Sequence, residues 1–404
     1  MKLDADRWRA KRGITRILDA LGADLGLTRY VGGAVRDELL DIPVNDIDFA
    51  TRLRPDQVVA RLEQARIKAV PTGITHGTIT AVADGQPAEI TTLRADVSTD
   101  GRRATVEFSD DWAADAARRD FTINALYADP RTGEIFDYFG GLDDLRDRRV
   151  RFIGDPLQRI AEDHLRILRF FRFHARYGRG DPDPAAVDAC TLRANDLMAL
   201  SRERIADETV KILGLADPVA TITLMVKRAI FAPVLPEITD AARLAALIED
   251  EAAAAIAPDP IRRLAALLPP DPAIADKVAA RLRLSKKARK RLAAAADPDC
   301  SINPQALAYW HGTETAIDRL LLARRPADAA ALVGWPIPRL PITGGGLIKR
   351  GMTEGPAVAA ALKAIERAWV EADFPQGAQW KALVDLTLLL PPGRGGSRRL
   401  AEGS

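Results

Sequence analysis

Two short stretches near the start of the chain decide how its first part folds, YVGGAVRD at residues 30–37 and DIDFA at residues 46–50. The first is typical of a strand that enters a glycine turn and continues as a helix, because glycine lets backbone N–H groups approach a phosphate closely. Arg36, one turn into that helix, could add its guanidinium to the same phosphate. Gly32 and Gly33 with Arg36 therefore indicate either a phosphate-binding turn or a plain tight turn.

Three carboxylates are candidates for a metal site. Asp46 and Asp48 lie two residues apart, and on a strand such residues point to the same face, so their side chains converge. Two carboxylates on one face repel each other unless a hard cation lies between them, and Mg²⁺ is the usual occupant. Glu89 is a charge inside the otherwise apolar and β-branched run AEITTL at residues 88–93. If that strand neighbours the aspartate pair, Glu89 completes a three-carboxylate site for two metal ions, and otherwise it is an edge-strand residue in solvent.

Two further motifs carry charged residues at regular spacing. RRDFTINA at residues 118–125 predicts a helix cap followed by a strand, and EDHLRILRFFR at residues 162–172 predicts part of one amphipathic helix. The buried stripe of that helix is expected to comprise Ile160, Ile167, Leu168, Phe171 and Ala175. Four charged residues recur every three positions along one side, namely Asp163, Arg166, Arg169 and Arg172. That side is either a solvated face, or it presents the acceptor of Asp163 and the donors of Arg166 toward the edge of a base.

Strand-like runs alternate with helices only in about the first third of the chain, which ends near residue 150. Strands are expected at five runs with alternating or β-branched residues: 27–31, 46–50, 79–82, 88–93 and 124–127. Helical spacing covers residues 7–21 and nearly every segment after Pro156, where Pro and Gly break the pattern. We therefore expect a small α/β sheet domain followed by an all-helical region, with a disordered end from Pro391.

The overall composition narrows the classes of protein. A chain of 404 residues suggests two to four packing units, and 58 Lys+Arg against 56 Asp+Glu leave a net charge of only +2. Any contact with nucleic acid must then come from local clustering, and the densest basic run, SKKARKR at residues 285–291, is either a solvated helix face or a contact with a phosphate backbone. Cys190 and Cys300 have no metal-ligand spacing. The chain has no apolar stretch long enough for a membrane span and no signal-peptide core, so a soluble, cytoplasmic protein is expected.

In this order and at these spacings, the motifs resemble those of the class II nucleotidyltransferases, a family of CCA-adding enzymes of tRNA and bacterial poly(A) polymerases. The resemblance covers roughly residues 28–215. It rests on GGxxRD at residues 32–37, DxD at 46–48, HGT at 76–78, ExTT at 89–92, RRDFTxNA at 118–125, EDxxR at 162–166 and SxER at 201–204 with Glu208.

The resemblance implies an α+β fold with four parts. A polymerase-β-like palm sheet domain at residues 1–150 would precede a helical neck at 151–215, a body at 216–330 and a tail at 331–404. It also implies that Asp46, Asp48 and Glu89 hold two catalytic Mg²⁺ ions. The implied reaction is in-line attack by an RNA 3′-hydroxyl on the α-phosphate of a nucleotide, which needs no nucleophilic side chain.

The same resemblance implies the nucleotide-binding residues Gly32, Gly33, Arg36, Arg119, Asp120, Asn124, Asp163, Arg166, Arg169 and Arg172. Gly33 and Arg36 would hold the triphosphate. Arg119 and Asp120 would contact the ribose. Asp163 and Arg166 would read the Watson–Crick edge of CTP or ATP, with Arg169 and Arg172 completing the pocket.

The partners that the resemblance implies are CTP, ATP and the 3′ end of tRNA. The stretch TGITHGT at residues 72–78 looks like the CCA-adding version of its motif, and DGRR at residues 100–103 resembles the flexible loop of enzymes that add the terminal A. A full CCA enzyme is therefore preferred over poly(A) or partial-CCA activity. A catalytically silent RNA-binding protein is the alternative from another class, and the intact Asp46/Asp48 pair argues against it.

Overall fold

The predicted strand, glycine turn and helix around residues 30–37 are all present in the fold. The strand ends at Val31, Gly32 has a φ of 70° that favours glycine, and the helix begins at Gly33. The N–H of Gly32 donates to the carbonyl of Leu126, which fixes the turn against a neighbouring strand. The backbone conformation of Gly32, rather than a side-chain contact, thus places the first turn of this helix directly after the strand.

The structure is a computed structural model that describes residues 2–389 apart from 12, 45, 74–76 and 101–102, and of residues 5, 96–100 and 103–106 only the backbone is described. The chain divides into two compact units, Met1–Ala241 and Ala242–Ser404. The strands described all lie in the first unit: β1 Thr28–Val31, β2 Asp48–Thr51, β3 Lys68–Gly73, β4 Thr78–Ala83, β5 Gln86–Thr92, β6 Arg94–Asp100, β7 Arg103–Phe108, β8 Leu126–Ala128 and β9 Ile135–Asp137.

Seven of these strands form one mixed sheet in the order β3-β4-β5-β2-β1-β8-β9, and β6 pairs only with β7. Strands β2 and β5 are parallel, whereas the other neighbours in the sheet are antiparallel. The alternation of buried and more exposed residues along β4 and β5 is the period-2 pattern of strands with one buried face. The predicted strands at 79–82 and 88–93 are therefore confirmed.

The helices of the first unit surround this sheet and then continue beyond it. They are α1 Ala5–Arg9, α2 Ile14–Ala20, α3 Gly33–Leu39, α4 Pro55–Gln64, α5 Trp112–Ala117, α6 Gly141–Arg146, α7 Pro156–Glu162, α8 Arg166–Tyr177, α9 Pro184–Leu192, α10 Arg202–Leu213 and α11 Val219–Lys227. One helix predicted over residues 7–21 is in fact two, because Gly13 adopts a φ of 81° between them.

The predicted continuous helix across residues 160–175 is wrong. Helix α7 ends at Glu162, Asp163 is extended with φ −151° and ψ 105°, and α8 begins at Arg166. The Asp163 carboxylate accepts the backbone N–H of Leu165, a local hydrogen bond that competes with helix continuation. The apolar spacing survives the break because Ile160 and Ile167 are both fully buried.

Two smaller expectations also need correction. Strand β2 begins at Asp48, so Asp46 precedes the strand instead of lying on it. The strand expected at 124–127 starts only at Leu126, after a 3₁₀ turn at Thr122–Asn124.

The second unit is helical in all its described elements. Its helices are α12 Ala242–Ala253, α13 Pro260–Leu267, α14 Pro272–Arg281, α15 Lys286–Ala295, α16 Pro304–His311, α17 Thr313–Leu322, α18 Pro326–Ala331, α19 Gly344–Lys349, α20 Pro356–Glu371 and α21 Gly377–Leu389. Buried charges are paired here, for example Glu251, which accepts from both Arg262 and Arg263 at 2.9 Å. Among the helices described in either unit, none combines the length and apolar composition needed to cross a membrane.

Candidate active site

Two parallel strands bring carboxylates to one edge of the sheet. Asp48, the first residue of β2, is the direct partner of Glu89 in β5. Because paired residues of adjacent strands project to the same face, these two side chains are neighbours. Asp46 lies just before β2 and is exposed. A cavity of about 430 Å³ is lined by Asp46, Ile47, Asp48, Thr80, Pro87, Ala88 and Glu89; we call its three acids the carboxylate edge.

The carboxylate edge carries negative charge that the protein does not neutralise. Burial, followed by the charges of Glu89 and Asp46, raises the pKa of Asp48 from 3.8 to about 6, and the charge of Arg119 only partly opposes this. Within the residues that the structure describes, none of the three acids has a hydrogen-bond donor or an ion-pair partner. A site that raises the pKa of its own carboxylate is one that an added cation would stabilise.

The donor set fits a hard divalent cation, since all of its side-chain ligands are carboxylate oxygens. The three acids do not converge on one point, however. In the described part of the chain no group of three or more His, Cys, Asp or Glu side chains is arranged as a metal centre. The sequence-based metal site therefore stays a prediction, supported by the register of β2 and β5 and by the uncompensated charge.

A second cavity, of about 480 Å³, gathers nearly all the residues predicted to bind a nucleotide. It is lined by Gly32, Gly33, Arg36, Arg119, Asp120, Asn124, Asp163, Arg166, Arg169 and Phe173. Nine of these ten residues are among the ten that the sequence indicated. We call this space the nucleotide cavity.

Arg36 is held rigidly beside the glycine turn. Its guanidinium donates to the side chain of Asn124, to the hydroxyl of Tyr177 at 2.6 Å and to Asp37 at 2.7 Å. The guanidinium carbon also lies 4.0 Å from the centre of the Tyr177 ring. A Cβ added at Gly33 would come within 3.4 Å of the Arg36 guanidinium, so the glycine leaves the backbone and the charge open to the same space.

Asp120 is buried and fully engaged within the nucleotide cavity. One carboxylate oxygen accepts from Arg169 at 2.5 and 2.9 Å, and the other accepts from the side chain of Asn124 and the N–H of Phe121. Burial would raise the pKa of Asp120, but the Arg169 charge and these hydrogen bonds outweigh it and lower the pKa. Asp120 thus orients Asn124 and Arg169 and stays ionised.

Asp163 and Arg166 reach the cavity from the break between α7 and α8. The Asp163 carboxylate accepts from Arg204 of α10 at 2.9 and 3.1 Å. Arg166 donates to Glu162 at 2.5 Å and to the carbonyl of Arg159 at 2.7 Å. Both predicted base-reading groups therefore line the cavity with their orientation set by partners behind them.

Phe173 takes the place in the nucleotide cavity that was predicted for Arg172. Arg172 does not line the nucleotide cavity, because its guanidinium is bonded to Glu208 at 2.6 Å. Phe173 does line it, and its ring lies 5.3 to 5.4 Å from the guanidinium carbons of Arg36 and Arg169. The spacing of Phe173, four residues after Arg169 and seven after Arg166, would have placed it on their side of the helix.

Two sequence motifs lie partly outside the residues that the structure describes. His76 of the HGT motif is not among the described residues, and neither are Gly101 and Arg102 of the loop at residues 100–103. Strands β6 and β7, which flank that loop, form a two-stranded antiparallel hairpin.

Comparison with known proteins agrees with these features. Residues 28–151 match the family described as the poly A polymerase head domain, and residues 181–242 match a probable RNA- and SrmB-binding site of polymerase A. The chain is 35% identical over 364 residues to the mitochondrial CCA tRNA nucleotidyltransferase 1 of Homo sapiens, covering 86% of this chain and 83% of the human protein. It is also 42% identical to the CCA-adding enzyme of Leuconostoc citreum over 186 residues. That match covers 46% of this chain and 45% of the Leuconostoc enzyme.

Solved structures show the same fold. The crystal structure of the Bacillus stearothermophilus CCA-adding enzyme in complex with CTP has a TM-score of 0.73 and 27% identity, covering 93% of this chain and 97% of that one. The Thermotoga maritima CCA-adding enzyme complexed with tRNA has a TM-score of 0.71 and 20% identity, with 96% of this chain and 99% of that chain covered, a likeness of fold alone.

Proposed function

Because the chain belongs to the family of CCA tRNA nucleotidyltransferases, we propose that it adds C, C and A to the 3′ end of tRNA, taking CTP and ATP as substrates. The observation that carries this proposal is the joint position of Arg119. It lines the nucleotide cavity, and its charge partly opposes the rise in the pKa of Asp48 on the carboxylate edge. A nucleotide held in the cavity would therefore have its phosphates within the field of both groups.

Membership of this family implies dependence on a divalent metal ion. We propose that Asp46, Asp48 and Glu89 hold two Mg²⁺ ions. When bound, such ions would lower the pKa of the RNA 3′-hydroxyl and neutralise charge on the departing pyrophosphate. The raised pKa of Asp48 supports this assignment, because a cation at the edge would restore its ionised form.

The remaining residues bind and orient the nucleotide. The N–H groups at the start of α3 and the fixed guanidinium of Arg36 would hold the triphosphate, since both are aimed at one space and neither must reorganise. Arg119 would contact the ribose, and Asp120 would keep Arg169 and Asn124 in place. The 3′-hydroxyl then attacks the α-phosphate in line and pyrophosphate leaves, which needs positioned charge and no side-chain nucleophile.

Base choice is proposed to rest on Asp163 and Arg166. The exocyclic amine that cytosine and adenine share can donate to Asp163, whereas uracil and guanine present a carbonyl oxygen there. A carboxylate has about four acceptor positions, so Asp163 can accept this hydrogen bond while it stays paired with Arg204. Arg166, held by Glu162, supplies the donors for the ring nitrogen or carbonyl beside that amine.

The experiment that tests the function is end addition to tRNA that stops at the discriminator base. The protein and Mg²⁺ are incubated with CTP alone, ATP alone or both, and the 3′ ends of the products are sequenced. We expect CC with CTP alone, no A before CC, and CCA with both. Incorporation of neither nucleotide would overturn the proposal, arrest at CC would indicate a CC-only enzyme, and long A tails on unrelated RNA would indicate a poly(A) polymerase.

Two further assignments are proposals. We propose that the helical part divides into a neck at residues 151–215, a body at 216–330 and a tail at 331–404, which limited proteolysis of the full chain would test through its first cleavage sites. We also propose that the protein works in the cytoplasm. Microscopy of the tagged full chain in its own cells would test this, and a mitochondrial signal, as in the name of the human relative, would overturn it.

A further inference from the structure

A buried carboxylate lies directly behind the nucleotide cavity without lining it. Asp115, in α5, is 1% exposed and belongs to none of the motifs singled out in the sequence. Five donor groups contact its two oxygens: the Nε and Nη2 of Arg118, the Nη2 of Arg119, the hydroxyl of Tyr127 and the backbone N–H of Arg94. These hydrogen bonds tie three separate segments of the chain to the Asp115 carboxylate.

The contacts to Arg119 fix the plane of its guanidinium. One oxygen of Asp115 accepts from Arg119 Nη2 at 3.1 Å and from the Tyr127 hydroxyl at 2.6 Å. The same hydroxyl accepts from Arg119 Nε at 3.2 Å, which closes a three-membered ring of hydrogen bonds. The remaining nitrogen, Nη1, donates to the carbonyl of Asn124 at 3.5 Å and lies 3.2 Å from where a Cβ at Gly32 would be. The guanidinium is therefore held edge-on to the glycine turn.

The charges of Asp115, Arg118 and Arg119 together also affect the nucleotide cavity. Burial would raise the pKa of Asp115, but the charges of Arg119 and Arg118 and the bonds from Tyr127 and Arg118 outweigh it and lower the pKa to about 2. One ionised carboxylate thus lies between two guanidinium groups, which leaves a net positive charge. Since Arg119 is the member that lines the cavity, that charge is available to an anionic ligand there.

The Asp115 carboxylate also contacts the first residue of the β6–β7 hairpin. Its other oxygen accepts the N–H of Arg94, the first residue of β6, at 3.1 Å. A displacement of Asp115 would therefore move both Arg119 and the start of the hairpin.

We propose that Asp115 is a positioning residue for the nucleotide: it acts through Arg119 and sets the affinity for CTP and ATP without touching either. This inference rests on the proposed function, because it assumes that the cavity binds those nucleotides. A residue that only stabilised the fold would change the folded fraction of the protein, whereas a positioning residue changes the KM of the folded enzyme for its nucleotides.

The chain offers a matched control in Asp144. This second buried aspartate is 0% exposed and also holds two arginines, Arg149 at 2.9 Å and Arg151 at 3.0 Å, but neither arginine lines the nucleotide cavity. The substitutions Asp115→Asn and Asp144→Asn remove the same charge from equally buried sites. The difference that the comparison uses is that an arginine held by Asp115 lines the nucleotide cavity, whereas neither arginine held by Asp144 does.

The test is steady-state kinetics of nucleotide addition with the full chain, at a temperature where each variant is folded by circular dichroism. We expect Asp115→Asn to raise the KM for CTP and for ATP by about tenfold or more, with kcat and the KM for tRNA within about threefold of the unaltered protein. Asp144→Asn should leave all these constants within about threefold. An equal rise in KM for both variants, or a fall in kcat and tRNA affinity in step with the KM, would overturn the proposal.

A double-mutant cycle separates action through Arg119 from a general effect. If Asp115 acts through Arg119, adding Asp115→Asn to Arg119→Gln should raise the KM by less than about twofold beyond Arg119→Gln alone. Fully additive effects would contradict the proposal. Should Asp115→Asn fail to fold, Tyr127→Phe, which removes one bond of the same ring, is expected to raise the KM for CTP about threefold, and an unchanged KM would overturn the inference.

The proposed function and this inference fail differently. If the unaltered protein adds no nucleotide to tRNA, the proposed function is wrong. If it adds CCA while Asp115→Asn keeps its KM, only the role of Asp115 is wrong.

Discussion

The carboxylate edge and the nucleotide cavity hold charge in opposite ways. In the cavity, each charged side chain is paired within the protein: Asp120 with Arg169, Asp163 with Arg204, Arg166 with Glu162, Arg36 with Asp37 and Arg119 with Asp115. On the carboxylate edge, Asp48 and Glu89 lie side by side and, in the described residues, no protein cation pairs with them. The pKa directions agree, since the pKa of Asp120 is lowered whereas that of Asp48 is raised to about 6.

This difference shows which part of the site the protein completes by itself. Paired charges in the cavity have fixed orientations, so they can present donors and acceptors to a ligand with little reorganisation. Uncompensated carboxylates at the edge repel one another, and a bound cation would relieve that repulsion. Under the proposed function, the nucleotide cavity recognises the nucleotide and a cation completes the carboxylate edge. Substitutions in the two regions should therefore fail in different steps.

The largest effect is expected from Asp48→Asn. Removing the central carboxylate should lower kcat for nucleotide addition by at least about a thousandfold, because positioned charge supplies nearly all of this catalysis. The affinity for tRNA should change by less than about threefold, since the proposed role of the altered group is to bind metal rather than RNA. End-addition kinetics and filter binding with radiolabelled tRNA measure the two quantities.

The exposed Asp56, in the first turn of α4, is the matched control for that substitution. Asp56→Asn should leave both quantities unchanged within error. If Asp48→Asn lost tRNA affinity together with activity, the carboxylate edge would contribute to RNA binding, contrary to this prediction.

A smaller and different effect is expected from Arg166→Ala in the nucleotide cavity. Loss of its guanidinium removes donors from the base edge and leaves Glu162 without that partner. We expect kcat/KM for CTP and for ATP to fall by about 10- to 100-fold, with an altered ratio between the two. Arg228, paired with Asp188 outside the cavity, is the control, and Arg228→Ala should keep the ratio. Equal losses for both nucleotides, with no change in their ratio, would argue against base reading by Arg166.

Much of the cavity could be predicted from the sequence because its residues lie in short local motifs. The glycine turn with Arg36, and the run from Arg119 to Asn124, each follow from a strand, a turn and a helix that form within a few residues. A site shared by the aspartate pair and Glu89 was predicted only on the condition that their strands are neighbours. The parallel pairing of Asp48 with Glu89 joins residues 41 positions apart, a relation that the sequence does not contain.

What the sequence did not predict depends on tertiary contacts. The break at Asp163 is invisible to hydrophobic spacing, since Ile160 and Ile167 stay buried on both sides of it. The bond between Arg172 and Glu208 joins two helices. Neither the spacing along α8 nor the family resemblance, which implied that Arg172 completes the pocket, could predict this contact. Asp115 stands in an alanine-rich helix, and its five donors come from three separate segments.

The dependence of thermal stability on pH and on divalent metal should also distinguish the carboxylate edge from the nucleotide cavity. The folded state of Asp48 favours the protonated form, so its contribution to stability falls as pH rises from its ordinary pKa of 3.8 to about 6 and stays low above that. At pH 7 without divalent metal this cost is on the order of 1 kcal/mol once solvent screening at the partly exposed carboxylate is allowed for. Asp48→Asn should therefore unfold at a higher temperature than the unaltered protein at pH 7, and at the same temperature near pH 4.

Addition of Mg²⁺ gives the complementary measurement. It should raise the unfolding temperature of the unaltered protein at pH 7.5, have much less effect at pH 5, where Asp48 is largely protonated, and have none on Asp48→Asn. Thermal unfolding followed by circular dichroism, with Ca²⁺ and NaCl of equal ionic strength as controls, makes the comparison. Stabilisation of Asp48→Asn as large as that of the unaltered protein would place the cation somewhere other than the carboxylate edge.

The smallest effect is expected from Arg204→Ala, at the rim of the nucleotide cavity. The Arg204 side chain is 47% exposed, and an ion pair so open to solvent contributes less than about 1 kcal/mol to the free energy of unfolding. Asp163 keeps its hydrogen bond from the N–H of Leu165, so its backbone should hold its place. The unfolding temperature should then fall by less than about 3 °C, and the KM for CTP should rise by less than about threefold, more at low salt than at high salt because the pair is screened. A loss as large as that of Arg166→Ala, and equal at both salt concentrations, would mean that Arg204 is a buried part of the recognition surface when the nucleotide is bound, and that the cavity closes around its ligand more tightly than the structure without a nucleotide indicates.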